Sequence, residues 1–207
     1  MGVIKTVISI LGFGDSLTAG TPGYEPSYDW GDEKSQYGYW MIQEAENSGY
    51  HDLVFRNEGV PGELAQWMPR RLSTLLDENS FDIIVVMGGS NDLGWGRPIS
   101  SIIGSLNTLW DLSRQHGSKV VACTIPPIAV NYPGIQEGQK EINDFILRNS
   151  NTENFQTVDT FPILASNEGL LLPEFDSGDG LHLSIDGYQA MGIEIWTSGV
   201  SHFIVNT

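Results

Sequence analysis

Apolar runs alternate along this chain with stretches whose apolar positions recur every three or four residues. That is the pattern of strands interleaved with helices in a parallel α/β sheet. Residues 3–13 are rich in β-branched side chains and end among Gly12 and Gly14, which reads as a strand running into a turn. Residues 53–56 form a second, shorter run. Residues 81–87 are apolar throughout their centre (Ile83, Ile84, Val85, Val86), as a central parallel strand should be. Residues 120–125 give a fourth strand, stopped by Pro126 and Pro127, and residues 155–158 a weaker fifth. Between them, Ile99, Ile102, Ile103, Leu106, Leu109 and Trp110 keep helical spacing, so one face of that helix should pack on the sheet. Leu64, Trp67, Met68, Leu72 and Leu75 do the same, with Pro69 either kinking the helix or marking its start. Ile142, Phe145 and Ile146 mark another helix, and residues 184–196 a last one with Ser184 as N-cap. No repeat or linker interrupts the series, so residues 1–207 are read as one domain.

Residues 20–38 break the pattern. They hold Pro22, Pro26, Tyr24, Tyr28, Trp30 and several acids without periodicity. A loop of this length is usually functional or disordered, and its aromatics argue against disorder. It either lines a cleft or packs on the surface. Trp30, Tyr37, Tyr39 and Trp40 could stack on a sugar or an aromatic alcohol, or could equally be core.

Charge narrows the partners. The chain carries 26 acidic against 10 basic residues, a net charge of −16, yet only 17% of it is charged. The acidity comes from missing bases. With no Lys/Arg cluster, binding to nucleic acid or an anionic membrane would meet repulsion, so a neutral small molecule is the easier partner. The single cysteine, Cys123, lies in an apolar run and reads as a buried thiol. No apolar stretch reaches membrane-span length. Residues 1–13 are apolar but lack a cleavage site, so they read as structure, which points to a cytoplasmic protein or an already trimmed mature form.

Four short motifs follow predicted strands or lie near the C-terminus: Gly14-Asp15-Ser16-Leu17-Thr18, Asn57-Glu58-Gly59-Val60-Pro61-Gly62, Gly88-Gly89-Ser90-Asn91-Asp92 and Asp179-Gly180-Leu181-His182. Ligand sites in open parallel sheets form beyond the carboxyl ends of the strands. Ser16, Gly59 and Asn91 should therefore reach the same edge. Acyl transfer needs a nucleophile, a base oriented by a carboxylate, and donors for the oxyanion. Glycine at 59 would let a backbone N–H approach a ligand, and Asn91 carries a side-chain donor. The spacing of Asp179 and His182 suits a tight turn that aims carboxylate at imidazole.

In order and type, these blocks resemble those of the GDSL/SGNH hydrolases. The resemblance implies a flavodoxin-like α/β/α sandwich with a parallel sheet of about five strands, no cofactor and no metal. It also implies a serine esterase with Ser16 as nucleophile, His182 as general base then acid, and Asp179 orienting it. The oxyanion hole would comprise the Ser16 and Gly59 backbone N–H groups and the Asn91 side chain. A short-chain carboxylic ester, such as an acetyl ester, is the expected substrate. Lysophospholipid or acyl-thioester hydrolysis is the alternative, and a non-catalytic ligand-binding domain a further one.

The other candidates have plainer roles. His51, His116 and His202 are expected at the surface. Asp176 and Asp159 could also orient His182. Asp15 and Asp92 are expected to hold loop backbone, and Ser90 to be structural. No spacing of His, Cys and acids suits a metal. Neither a G-x-S-x-G elbow nor a phosphate-binding or dinucleotide pattern is present.

Overall fold

The computed structural model of the protein describes residues 7–129, 132–149 and 152–204. Strand β1 (Ile8–Gly14) leads into a one-turn helix α1 (Ser16–Ala19), then a small hairpin of β2 (Tyr24–Glu25) and β3 (Trp30–Gly31). Helix α2 (Tyr37–Asn47) returns the chain to β4 (Leu53–Gly59), followed by α3 (Met68–Glu78) and β5 (Ile83–Met87). After a short α4 (Ser90–Gly94) come α5 (Ile99–Gln115), β6 (Lys119–Cys123), α6 (Pro133–Leu147) and β7 (Phe155–Val158). Helix α7 (Ile185–Ile195) runs on through a π-helical turn into α8 (Ser201–Ile204).

The five long strands form one parallel sheet in the order β4-β1-β5-β6-β7. Parallel pairing requires crossovers, and helices supply them on both faces. Alternate side chains therefore go to opposite layers. Ile83, Val85 and Met87 of β5 pack in a core with Tyr37 and Met41 of α2 and Tyr188, Met191 and Ile195 of α7. Ile84 and Val86 face the other way, onto Met68 and Leu72 of α3, Ile102 and Leu106 of α5 and Ile142 of α6. The architecture is the three-layer α/β/α sandwich. Strand order reverses between β1 and β5, so the crevice above those two strands is the expected ligand position.

All five predicted strands are present, the fifth at its predicted bounds and the others displaced at their ends. β1 starts at Ile8, with Val7 outside the strand; residues 3–6 of the expected strand lie outside the described residues. β4 runs to Gly59, three residues beyond Arg56, because it stays paired with β1 until Gly14 meets Gly59. Pro69 lies in the first turn of α3, where its missing N–H would have no helical partner, so it starts the helix. Ser184 caps α7 as expected, its hydroxyl accepting from the Gly187 N–H at 3.2 Å. Among the described residues no helix is long and apolar enough to cross a membrane.

Part of the unpatterned stretch is ordered differently. Tyr37 and Gly38 belong to α2, and Tyr37 is fully buried against Phe55 rather than available to a ligand. Tyr28 and Trp30, by contrast, stand exposed on the hairpin. Cys123 is a buried free thiol whose ionisation burial pushes far up.

Candidate active site

Ser16 follows β1 directly. Asp15 caps α1, its Oδ1 accepting the Leu17 N–H at 3.0 Å, and this turn places Ser16 at the first helical position. A first-turn N–H has no partner within its helix, which leaves that of Ser16 free to serve a ligand. The opposite wall comes from the C-terminal segment. Asp179 Oδ1 accepts the N–H groups of Leu181 at 2.9 Å and His182 at 2.8 Å, closing a turn on its own carboxylate. The other oxygen, Oδ2, is then fixed 2.6 Å from His182 Nδ1. Nε2 of the same ring lies 2.9 Å from Ser16 Oγ. The chain thus brings Ser16, His182 and Asp179 into one hydrogen-bonded line across 166 residues of sequence. With Nδ1–H donating to the carboxylate, Nε2 is left to accept the serine proton.

The electrostatics follow from this geometry. Partial burial alone would raise the Asp179 pKa. The His182 ring bond and the two N–H groups outweigh it and hold the carboxyl at about 2. Asp15 behaves oppositely. Completely buried, it is pushed up to about 6 by desolvation, although hydrogen bonds from Ser90 Oγ (2.8 Å) and the Leu17 N–H, and the nearby His182, pull it down. Burial likewise raises Asp92, which accepts the Ala65 N–H at 2.8 Å. Asp15, Asp92 and Ser90 therefore do the loop-holding work expected of them. Asp176 spends its carboxylate on the Gly178 and Gly180 N–H groups, and Asp159 on Thr124 and Phe161. Neither shows a bond to His182. His51, His116 and His202 are surface residues.

Two expected donors fare differently. Asn91 opens toward the site from the loop after β5, with one Nδ2 hydrogen donated to the Glu63 carbonyl at 3.1 Å and a second to spare. Gly59 does not have the role expected of it. It is buried as the last residue of β4, and its N–H already donates to Asn57 Oδ1 at 2.9 Å. A Cβ there would come within 2.1 Å of the Ala19 nitrogen, so the glycine serves the close approach of β4 to α1. Three residues on, Gly62 is exposed, has φ +77° and meets nothing at its Cβ position. Among the described residues nothing accepts its N–H. The sequence signal was present, because the same motif contains both glycines; only the backbone hydrogen bonds separate them.

Beside the site lies a cleft of about 440 Å³ whose walls include Asn91, Asp179 and Gly180. Leu93, Ile125, Ile128 and Ile135 make it apolar, and Trp95 and Tyr132 stand largely exposed on it. No residue of the 20–38 stretch lines it. A more polar cavity of about 350 Å³, around Lys140, Asp144, Asp159 and Glu168, touches none of the four motifs. Among the described residues no group of three or more His, Cys, Asp or Glu could hold a metal ion.

Residues 13–190 match the GDSL-like lipase/acylhydrolase family. The chain belongs to that family. Solved structures agree on the fold. The crystal structure of TesA superposes with a TM-score of 0.75 at 19% identity, over 94% of this chain and 99% of that one. A lipolytic protein of the G-D-S-L family from Veillonella parvula gives 0.73 at 19% identity, over 91% and 96%. A carbohydrate esterase family 3 protein from Talaromyces cellulolyticus gives 0.70 at 19%, over 91% and 94%. No curated protein matches the chain.

Proposed function

We propose that this family member is a carboxylic ester hydrolase that works through a covalent acyl-serine. The observation that carries the reading is the unbroken Ser16–His182–Asp179 line, with distances of 2.9 and 2.6 Å. Ser16 Oγ attacks the ester carbonyl carbon as its proton passes to His182 Nε2. The carbonyl oxygen becomes the oxyanion. The Ser16 N–H, the free Asn91 Nδ2 hydrogen and, in place of Gly59, the Gly62 N–H are the donors proposed to receive it. Collapse returns the proton from Nε2 to the departing alcohol oxygen and leaves the acyl-serine. Water then attacks that ester with His182 again taking the proton, and the carboxylic acid is released. Asp179 keeps the imidazole in the productive tautomer throughout.

The cleft bears on the substrate. A chain of several carbons on the acyl or alcohol side would find Ile128 and Ile135 of the neighbouring cleft to pack against. Each methylene buried there favours binding by ~0.8 kcal/mol, about fourfold. We therefore propose an uncharged ester carrying such a chain, with the net charge of −16 disfavouring polyanions. The openness of the site at Asp179, which is about half exposed, favours the short-chain acetyl ester as second reading. The test is a series of p-nitrophenyl esters from acetate to palmitate with wild type and Ser16→Ala. Rates climbing from acetate through butyrate to octanoate support the first reading, and a maximum at acetate supports the second. Wild-type hydrolysis by Ser16→Ala would sink both.

A further inference from the structure

Three chain segments meet at the proposed oxyanion position, joined in part by the Ser90–Asp15, Asn91–Glu63 and Ala65–Asp92 hydrogen bonds. Arg71, in the first turns of α3, points its guanidinium under the C-terminal ends of β1 and β4. Nη2 donates to the Gly14 carbonyl at 3.2 Å, two residues before Ser16. Nη1 donates to the Glu58 carbonyl at 2.8 Å, at the start of the turn that carries Gly62. Nε reaches both Glu63 carboxylate oxygens at 3.0 Å, and Nη2 adds a contact to Oε2 at 2.5 Å. Glu63 is 7% exposed, and its own main-chain carbonyl is the group that holds Asn91 Nδ2. The guanidinium plane also lies over the Phe13 ring, 3.9 Å from its centroid.

We propose that Arg71 is a positioning residue for the oxyanion donors, an inference that rests on the esterase reading above. It touches the Ser16 and Gly62 segments through their carbonyls and the Asn91 amide through Glu63, so a single planar cation reaches all three. The Gly14 carbonyl, which accepts the Val60 N–H at 3.0 Å, takes a second donor from the guanidinium. A fork of fixed N–H directions can serve two carbonyls and a carboxylate together, which the compact ammonium of lysine cannot. Without the fork the strand pairing that ends at Gly14 and Gly59 remains, with the Val60 N–H donating to the Gly14 carbonyl at 3.0 Å, but the buried Glu63 carboxylate behind Asn91 loses its cation. Misplacement of such donors by an ångström costs on the order of a hundredfold in rate. The sequence gives no hint of this, because Arg71 sits on a helix whose pattern shows only a packed face.

The experiment compares Arg71→Lys, Arg71→Ala and wild type in steady-state hydrolysis of p-nitrophenyl butyrate, with circular dichroism to measure the folded fraction. The expected result is a kcat lowered by roughly 10- to 100-fold with KM changed by less than about threefold, because the donors act on the transition state. Labelling of Ser16 by a fluorophosphonate, which passes through the same oxyanion, should slow in parallel. Guanidinium ion at sub-denaturing concentration should restore part of the Arg71→Ala rate, and equal sodium chloride should not, because Arg71 borders an open surface groove through which the ion can enter. If Arg71→Ala does not fold, Arg71→Lys decides. A folded variant with wild-type kcat, or activity lost only in proportion to the unfolded fraction, would overturn the proposal. Ser16→Ala run alongside separates the two readings: should it stay active, the esterase assignment fails rather than the role of Arg71.

Discussion

Asp15 offers the sharpest quantitative test of the site's electrostatics. It is fully buried beside Ser16 and its carboxyl is pushed up to about 6, from an ordinary value of 3.8. A folded-state pKa above the unfolded one means that the group's stabilisation is fully present below about 3.8 and is lost as pH rises through about 6. The shift of about two units corresponds to roughly 3 kcal/mol, since each unit is 1.36 kcal/mol. Asn is nearly isosteric and cannot ionise. In Asp15→Asn the Oδ1 can still accept the Leu17 N–H, and the Ser90 hydroxyl can turn to accept from the new amide. The variant should therefore keep its fold and lose the pH-dependent penalty. Thermal unfolding from pH 4 to pH 8 reads this directly. For a chain of this size 1 kcal/mol moves Tm by about 2–4 °C, so the Tm difference, variant minus wild type, should grow by about 6–12 °C between pH 4 and pH 7 and then level off. Ser90→Ala, which removes a bond that lowers the folded-state pKa, should extend that rise to higher pH without changing where it begins. A flat difference curve across pH 4–7 would refute the reasoning.

The other expectations concern the site and its walls. Ser16→Ala and His182→Ala should each lower kcat by about 10⁴–10⁶, and Asn91→Ala by about 10²–10³, in p-nitrophenyl ester hydrolysis. Asp179→Asn should slow kcat while costing well under ~1 kcal/mol of stability at pH 7, because its carboxylate is about half exposed. The contribution of Asp179 is present above the unfolded carboxyl value and is lost as pH falls toward about 2. Gly59→Ala should destabilise by about 1–3 kcal/mol, since its Cβ meets Ala19 backbone, and Gly62→Ala by about 1 kcal/mol from its positive φ alone, as read by urea unfolding. Ile128→Trp should fill the cleft and flatten the chain-length profile. Cys123 should resist thiol reagents in the native protein and react once unfolded.

How much of this was legible follows from the range of each interaction. The central strands β1, β5 and β6 could be read because parallel strands buried on both faces are continuous apolar runs. Helix α2 could not. Its buried positions, Tyr37, Gly38, Met41 and Ala45, are mixed with Tyr39, Trp40 and Ile42, which are partly buried as well, so polar and apolar faces contrast weakly. A run of glycine, aromatics and acids before it then looked like a single loop. The motif order placed Ser16, Asn91, Asp179 and His182 together, because strand ends in this topology share one edge. It could not separate Gly59 from Gly62, since that choice depends on which N–H Asn57 occupies.

The sequence by itself determined the sheet, its two apolar layers and the set of chemical groups delivered to one edge. Those depend on periodicity and residue type, which are local properties of the chain. Tertiary structure alone decided which backbone donor is free, that the cleft walls are apolar, that Asp15 is buried enough to resist ionisation, and that Arg71 braces the strand ends. Each of these is a matter of distance between segments far apart in the chain, and no periodicity records it.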